Sequence, residues 1–496
     1  MAWPAGLPLL VLGASLLPAV ATLPWSVHRH ALRIALSLGG ALTKLVLVGV
    51  MLGGVARGER YEWRGPFLLD LDLVLRADPI GLLLVGLAAV LWLLTTIYAV
   101  GYLEGSPRPA SFFGFSSLSV AAIVGVALAG NPVTFLLFFE VLTVATYPLV
   151  VHSGTRVALA AGTRYLVFAL TGGAVLLTAV LVLHALAGPV DFTSGGVLGG
   201  GASRGPLIAL FVGLVAAVGV KAALVPLHLW LPGAHSIAPG PASALLSGLT
   251  VNAGAFGIAR IVFDVYGLEL ATDLGVLGPL GVLAAVTVVY GSLRALAQDE
   301  LKRRLAYSTV SQLSYIALGV AVAGPLAATG GLVHLVHQGI MKATLFYCAG
   351  GLSQTLGVTH VSELNGVGRR MPLTMAAFTV ASLGMIGVPP LAGFVTKWVL
   401  GLGSLQAGAG WVVGVLVASS LLNAAYFLPI VYRAWFLAPD RAWPREHAPT
   451  TRAETRPSLL GPPLVTAALT LLVGVLAGAE HSPLSWASVV VEGVFE

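Results

Sequence analysis

The sequence predicts an all-α integral membrane protein of about 14 transmembrane helices, with two inverted five-helix repeats and discontinuous helices 7 and 12. Three observations lead there. Hydrophobic residues make up 57% of the chain, charged residues only 9%, and mean hydropathy is +0.94, which excludes a soluble globular class. Apolar stretches of about 20 residues, the length that crosses a bilayer, recur along all 496 residues. Two of those stretches contain proline at corresponding places.

The spans fall at 5–22, 31–53, 79–102, 112–130, 132–151, 157–187, 206–231, 241–266, 273–296, 306–323, 327–349, 373–401, 409–437 and 459–477. The first ends near AVA and resembles a signal h-region, but no basic residue precedes it, so it is read as a retained helix. Residues 1–110 hold three N-terminal helices, 111–267 the first five-helix repeat, 268–437 the second, and 438–496 a cytoplasmic loop with the C-terminal helix. Of the 26 Lys and Arg, 21 lie in loops or in the span ends that border them, and 16 of those, from Arg29 to Arg456 and including Arg441 and Arg452, belong to odd-numbered loops. The positive-inside rule then makes odd loops cytoplasmic, with both termini outside an inner (plasma) membrane.

The net charge of +6 resides in these loops rather than in a basic stretch interleaved with aromatics, so nucleic acid is not an expected partner. The single cysteine, Cys348, cannot build a disulfide framework or a thiolate metal or iron–sulfur site. No cofactor is expected, and no Ser-His-Asp or phosphate-binding arrangement suggests a catalytic centre.

The repeat rests on spacing. Pro226 comes 114 residues after the start of span four, and Pro389 comes 116 residues after the start of span nine. A unit of five helices used twice in succession must insert its second copy upside down, the arrangement of many transporters. Each proline removes a donor and frees a carbonyl, which survives at membrane depth only against protein or a wet cavity.

Lys221 is the most informative residue. An ammonium at the bilayer centre costs roughly 3 kcal/mol or more, so it persists only where water, counter-charge or protein polar groups meet it. Glu140 is the only carboxylate within span five, and facing Lys221 it would form a pair whose separation moves the lysine between charged and neutral states. A fixed structural ion pair is the competing reading. In span eleven, steps of 100° place His334, His337 and Lys342 on an arc of about 140°, a wet or protein-lined face suited to proton relay. The two histidines are three apart, but no nearby carboxylate or thiolate completes a metal site. Lys397 lies seven residues after Pro390, a second cation beside a broken helix. Arg260 is read as snorkelling toward a span end, and Lys44 has no visible partner. His228 and His235 are candidates for proton access or relay around the first break.

Five stretches, NPVTFLLFFEVLTVATYPLV (131–150), KAALVPLHLWLPGAHSIAPGPASALLSGL (221–249), LKRRLAYSTVSQLSY (301–315), HQGIMKATLFYCAGG (337–351) and GVPPLAGFVTKW (387–398), together resemble the antiporter-like subunits of respiratory complex I, Mrp Na+/H+ antiporters and complex I-related membrane hydrogenases. The resemblance covers about residues 110 to 435. It implies a midplane proton path in which Glu140 and Lys221 are the coupling pair, Lys397 the terminal lysine, and His334, His337 and Lys342 the central connection. Implied partners are other membrane subunits of a hetero-oligomeric complex, the lipid bilayer, H+ and, in some relatives, Na+. Two departures stand out. Asn252 occupies the position where many members carry lysine or histidine, and Gln338 stands where many relatives have histidine. Asparagine binds water but holds no proton at neutral pH. Alternative readings are a non-conducting membrane spacer, a stand-alone Na+/H+ exchanger, and the membrane subunit of an energy-coupled inorganic carbon uptake system.

Overall fold

A computed structural model of the chain describes residues 3–23, 30–68, 70–106, 108–199, 203–440, 442–445 and 454–495. Three arginines of the loop-charge count, Arg29, Arg441 and Arg452, lie outside the described residues. Among the described residues, ten helices are long and apolar enough to cross a membrane. The chain is a multi-pass membrane protein, as its composition requires.

An N-terminal bundle is formed by α1 (Trp3–Thr22), α2 (His30–Ala56), α3 (Pro79–Tyr102) and α4 (Pro109–Ala127). The all-α expectation fails between α2 and α3, where β1 (Tyr61–Leu68) and β2 (Leu71–Ala77) form an antiparallel hairpin. Its first strand opens with polar and apolar residues in alternation, Val74 and Leu75 on opposite faces of the second are both buried, and Arg76 Nε donates to Glu62 at 2.7 Å. Asp78 then starts α3, its carboxylate accepting Gly81 N–H at 2.8 Å, with proline at the first helical position. Asn131 does the same for α5 (Pro132–Val150), accepting Thr134 N–H at 2.8 Å.

The chain continues through α6 (Arg156–Ala187), α7 (Arg204–Lys221), a 3₁₀ turn (Leu227–Trp230) and α8 (Leu231–Ile237). A continuous rod over 240–266 follows, made of α9 (Gly240–Leu245), a π turn, α10 (Asn252–Arg260) and a second π turn. After α11 (Leu268–Asp273) come α12 (Leu277–Leu296), α13 (Leu301–Ala321), α14 (Pro325–Leu356), the short α15 (Val367–Arg370), α16 (Pro372–Ile386), α17 (Ala392–Gln406), α18 (Trp411–Phe436) and α19 (Pro457–Val475). Beyond the last predicted span lies a further helix, α20 (Pro483–Phe495), packed on α14 and α3. Its 13 residues rise about 20 Å, too short to cross the hydrocarbon layer, which is why a length criterion passes over it.

Three elements form the centre: the 240–266 rod, α13 and α14. The rod is buried throughout, and α14 is buried without interruption from Ala327 to Leu352. A helix buried all round need not be apolar all round, because protein rather than lipid meets its polar groups. Hence α13 reads LAYSTVSQLSY yet sits in the middle of the molecule. Glycine permits a close crossing here: a Cβ on Gly331 of α14 would stand 3.0 Å from Gly319 Cα of α13. Outer helices instead expose large apolar residues such as Val144, Leu181 and Leu421, suited to lipid or a membrane partner.

Both proline-bearing spans are interrupted as predicted. The first stops at Lys221 and resumes at Leu227; the second stops at Ile386 and resumes at Ala392. Glu454, from the segment before α19, caps the start of α16 by accepting Leu373 N–H at 2.8 Å, Thr374 N–H at 2.7 Å and the Thr374 hydroxyl at 2.5 Å. Glu454→Ala is expected to cost about 1 kcal/mol or more, read as a lower thermal unfolding midpoint of the solubilised chain.

Candidate functional site

The two helix breaks create the site. At the first, α7 ends on Lys221, where the last-turn carbonyls favour a cation. Ala223, at φ 57°, turns the chain back, and Trp230 Nε1 donates to the Val220 carbonyl at 2.8 Å, meeting a group that a continuous helix would have used. Lys221 is 3% exposed; its Nζ donates to Thr143 Oγ1 at 2.8 Å and lies 4.5 Å from the centroid of the Phe139 ring.

Glu140 belongs to this group but does not touch the lysine. Thr143 is three residues after Glu140 on α5, so the two share a face about 5–6 Å apart at Cβ. The carboxylate packs on α6, where Gly173 leaves room for it: a Cβ there would stand 2.6 Å from Glu140 Cδ. Glu140 Oε1 is buried and has no hydrogen-bond partner among the described residues. Glu140 and Lys221 are therefore neighbours rather than a closed salt bridge: Lys221 donates to the Thr143 hydroxyl, which in turn donates to the Phe139 carbonyl at 3.2 Å.

The two residues that depart from the resembled pattern contact each other. Gln338 Nε2 of α14 donates to Asn252 Oδ1 at 2.5 Å, and Asn252 Nδ2 donates to Gly248 O at 2.7 Å and Leu335 O at 3.3 Å. The helix that carries Asn252 also packs on the end of α7: a Cβ on Gly254, two residues after Asn252, would lie 2.7 Å from the Lys221 carbonyl carbon. On α14, His334, Gln338 and Lys342 follow at i, i+4 and i+8, on one face.

From Lys342 a hydrogen-bonded series runs to Lys397. Lys342 Nζ donates to Ser308 Oγ of α13 at 2.5 Å; the Tyr426 hydroxyl of α18 lies 2.9 Å from that oxygen and 2.5 Å from Asn423 Oδ1. Asn423 Nδ2 donates to the Met385 carbonyl at 2.8 Å, and Lys397 Nζ donates to the same carbonyl at 3.1 Å, to Ile386 O at 2.7 Å and to Ser420 Oγ at 2.8 Å. The second break is thus filled by a cation on the freed C-terminal carbonyls of α16. The histidines reach the same lysine from the other side. His337 Nδ1 is 3.0 Å from Thr396 Oγ1, beside Lys397, and the His334 ring lies 5.0 Å from Tyr315, over which Lys397 sits at 5.7 Å.

Sequence reasoning missed Thr143, Ser308, Tyr315, Thr396, Asn423 and Tyr426. The signal was present in the polar density of 301–315, but neutral hydroxyls and amides gain meaning only from what they face. His228 is not on the row; it lies against Tyr290 and Tyr307, with ring centroids at 5.0 and 6.4 Å. His235 is fully buried beside Phe346, behind a cavity of about 500 Å³ lined by Glu104, His152, Ser236, Glu300 and Lys302 among others. Lys302 precedes the predicted span and donates to Ser236 O at 3.2 Å; burial pulls its ammonium down to about 8, opposed by the Glu300 carboxylate.

Two residues set aside in the sequence are also buried. Arg260 does not snorkel: Nη1 meets Asp78 at 2.6 Å and Asp264 at 2.8 Å, with Phe192 and Phe256 under the guanidinium. Lys44 donates to Ser15 Oγ at 2.5 Å over the Trp92 ring.

Comparison with known proteins gives the family. The model described as NADH:quinone oxidoreductase/Mrp antiporter, transmembrane, matches residues 129–423, more than half of the chain. This chain belongs to that family. It is 36% identical over 444 residues to the NADH-quinone oxidoreductase subunit N of Desulforudis audaxviator, covering 86% of this chain and 87% of that one. It is 28% identical over 445 residues to a Na(+)/H(+) antiporter subunit of Bacillus subtilis, covering 89% and 87%. Against hydrogenase-4 component B of Escherichia coli the identity is 32%, over 74% of this chain and 56% of that longer protein. The fold matches a chain of the Mrp complex from Dietzia sp. at TM-score 0.83, 24% identity and full coverage of both. It matches a chain of respiratory complex I from Thermus thermophilus at 0.79 and 24%, covering 98% and 99%.

Proposed function

We propose that the chain is a proton-translocating, antiporter-like subunit of a complex I-like or Mrp-like membrane assembly in a plasma membrane, with other membrane subunits as its partners and no redox centre of its own. The supporting observation is the line of buried polar groups between Lys342 and Lys397, in which Ser308, Tyr426 and Asn423 lead to the Met385 carbonyl, where Asn423 and Lys397 both donate. In this reading fourteen spans cross the bilayer, with 111–267 and 268–437 as inverted units that each contribute one broken helix.

A change in a neighbouring subunit alters the separation of Glu140 and Lys221 and so the charge of the lysine. The proton then passes the amide pair, reaches Lys342, and leaves by Lys397. Water completes the links that side chains do not: the Gln312 amide, Gln338 Oε1 and Ser382 Oγ are buried polar atoms without a protein partner among the described residues, which calls for ordered water. His235 and the cavity behind Lys302 supply the route of access.

The Asn252–Gln338 amide pair favours one competing reading, a membrane spacer that no longer conducts, because neither amide carries a proton at neutral pH. Proton translocation by the assembled complex carrying Lys342→Met or Lys397→Met separates the two. Conduction requires each to lose about a hundredfold or more in rate, the lower end for a positioned proton-transfer group. Rates equal to the parent in both variants establish the spacer.

A further inference from the structure

We propose that Lys44 is a proton-binding site in the N-terminal bundle, separate from the row that ends at Lys397. Lys44 is fully buried on α2, at an inward position between Ala41 and Val48, while Leu42, Leu45 and Val46 on the same helix face outward. Its Nζ has two partners from two other helices, Ser15 Oγ of α1 at 2.5 Å and the Trp92 ring of α3 at 4.8 Å from its centroid.

Among the described residues, nothing charged answers it. Neither α1 nor α4 contains a titratable side chain, and α3 contains only Tyr98 and Tyr102, beyond Trp92. On α2 itself, positions 30 and 33 are three or more turns away, and Tyr61 of β1 meets α2 at Gly54, ten residues along. A methionine or leucine would fill this position without the cost of an amine at membrane depth. The surroundings serve both protonation states. The ammonium donates to Ser15 and faces the π cloud of Trp92, whereas the neutral amine accepts from the same hydroxyl once it rotates. One proton is taken up or released, and no other reactant is needed.

The site is also tied by packing to the centre. Thr96 Oγ1 donates to Trp92 O at 2.7 Å, and Thr95 Oγ1 is 2.6 Å from the Tyr347 hydroxyl of α14, so the turn of α3 that carries the indole is tied to the helix that carries Lys342. The proposal does not depend on the Lys221–Lys397 row conducting.

The test is Trp92 fluorescence of the full chain in lipid nanodiscs, isolated from the other nine of ten tryptophans by subtracting the spectrum of Trp92→Phe. Between about pH 5 and 11 the difference emission should follow a one-proton curve, which Ser15→Ala shifts along the pH axis and Lys44→Met abolishes. Should Lys44→Met not fold, Lys44→Arg, permanently charged, should give a flat line. Emission from Trp92 that is flat in the parent, or a titration that survives in either Lys44 variant, overturns the proposal.

Discussion

Lys221→Met is expected to lower proton translocation by the assembled complex by about a hundredfold or more, with the chain still folded and still retained by its partners. Methionine keeps the stem that packs on Phe139 but removes the titratable amine, so the loss falls on proton transfer, where a positioned group contributes about 10²–10⁴-fold. Two companions locate the effect. Glu140→Gln keeps the shape on Gly173 and deletes the charge that biases the lysine; it should lose nearly as much. Gly173→Ala keeps both groups and displaces the carboxylate, since its Cβ would overlap Glu140 Cδ at 2.6 Å, and should produce a partial loss. Translocation assayed in proteoliposomes, with co-purification as the control for assembly, is the measurement. A parent-like rate from Lys221→Met would sink the mechanism.

Arg260→Met should be the most destabilising single change, by about 3–5 kcal/mol, through burial rather than transport. Asp264 is 8% exposed and Asp78 22%; both face the same guanidinium, and its removal leaves two carboxylates together without the charge that pairs them. Asp78 also caps α3, so its displacement propagates into the N-terminal bundle. Thermal unfolding of the solubilised chain measures the loss, and the triple variant with Asp78→Asn and Asp264→Asn should recover most of it. A midpoint unmoved by Arg260→Met would show the cluster to be hydrated and dispensable.

These two predictions differ in how far the sequence foresaw them. Lys221 was visible at once, because an amine in the middle of an apolar span is costly wherever it points. Arg260 was misread, since its partner Asp78 lies 182 residues away and a span-end arginine looks like one that reaches for water. The hairpin at 61–77 opens with a short polar and apolar alternation yet sat in a segment treated as a connection, and α20 was hidden by its shortness.

Hydropathy and proline placement on their own settled that this is a multi-pass helical membrane protein broken at two points, because the cost of apolar surface in water and of free carbonyls in lipid depends on composition and local order alone. The same sequence marked the buried cations. Tertiary structure alone decided what those cations face: Thr143 rather than Glu140 against Lys221, Asn252 against Gln338, and Tyr426 with Asn423 between Lys342 and Lys397. A hydrogen bond is made within about 3 Å, and which neutral hydroxyl or amide comes that close to a buried amine is set by how the helices cross, not by any spacing along one of them.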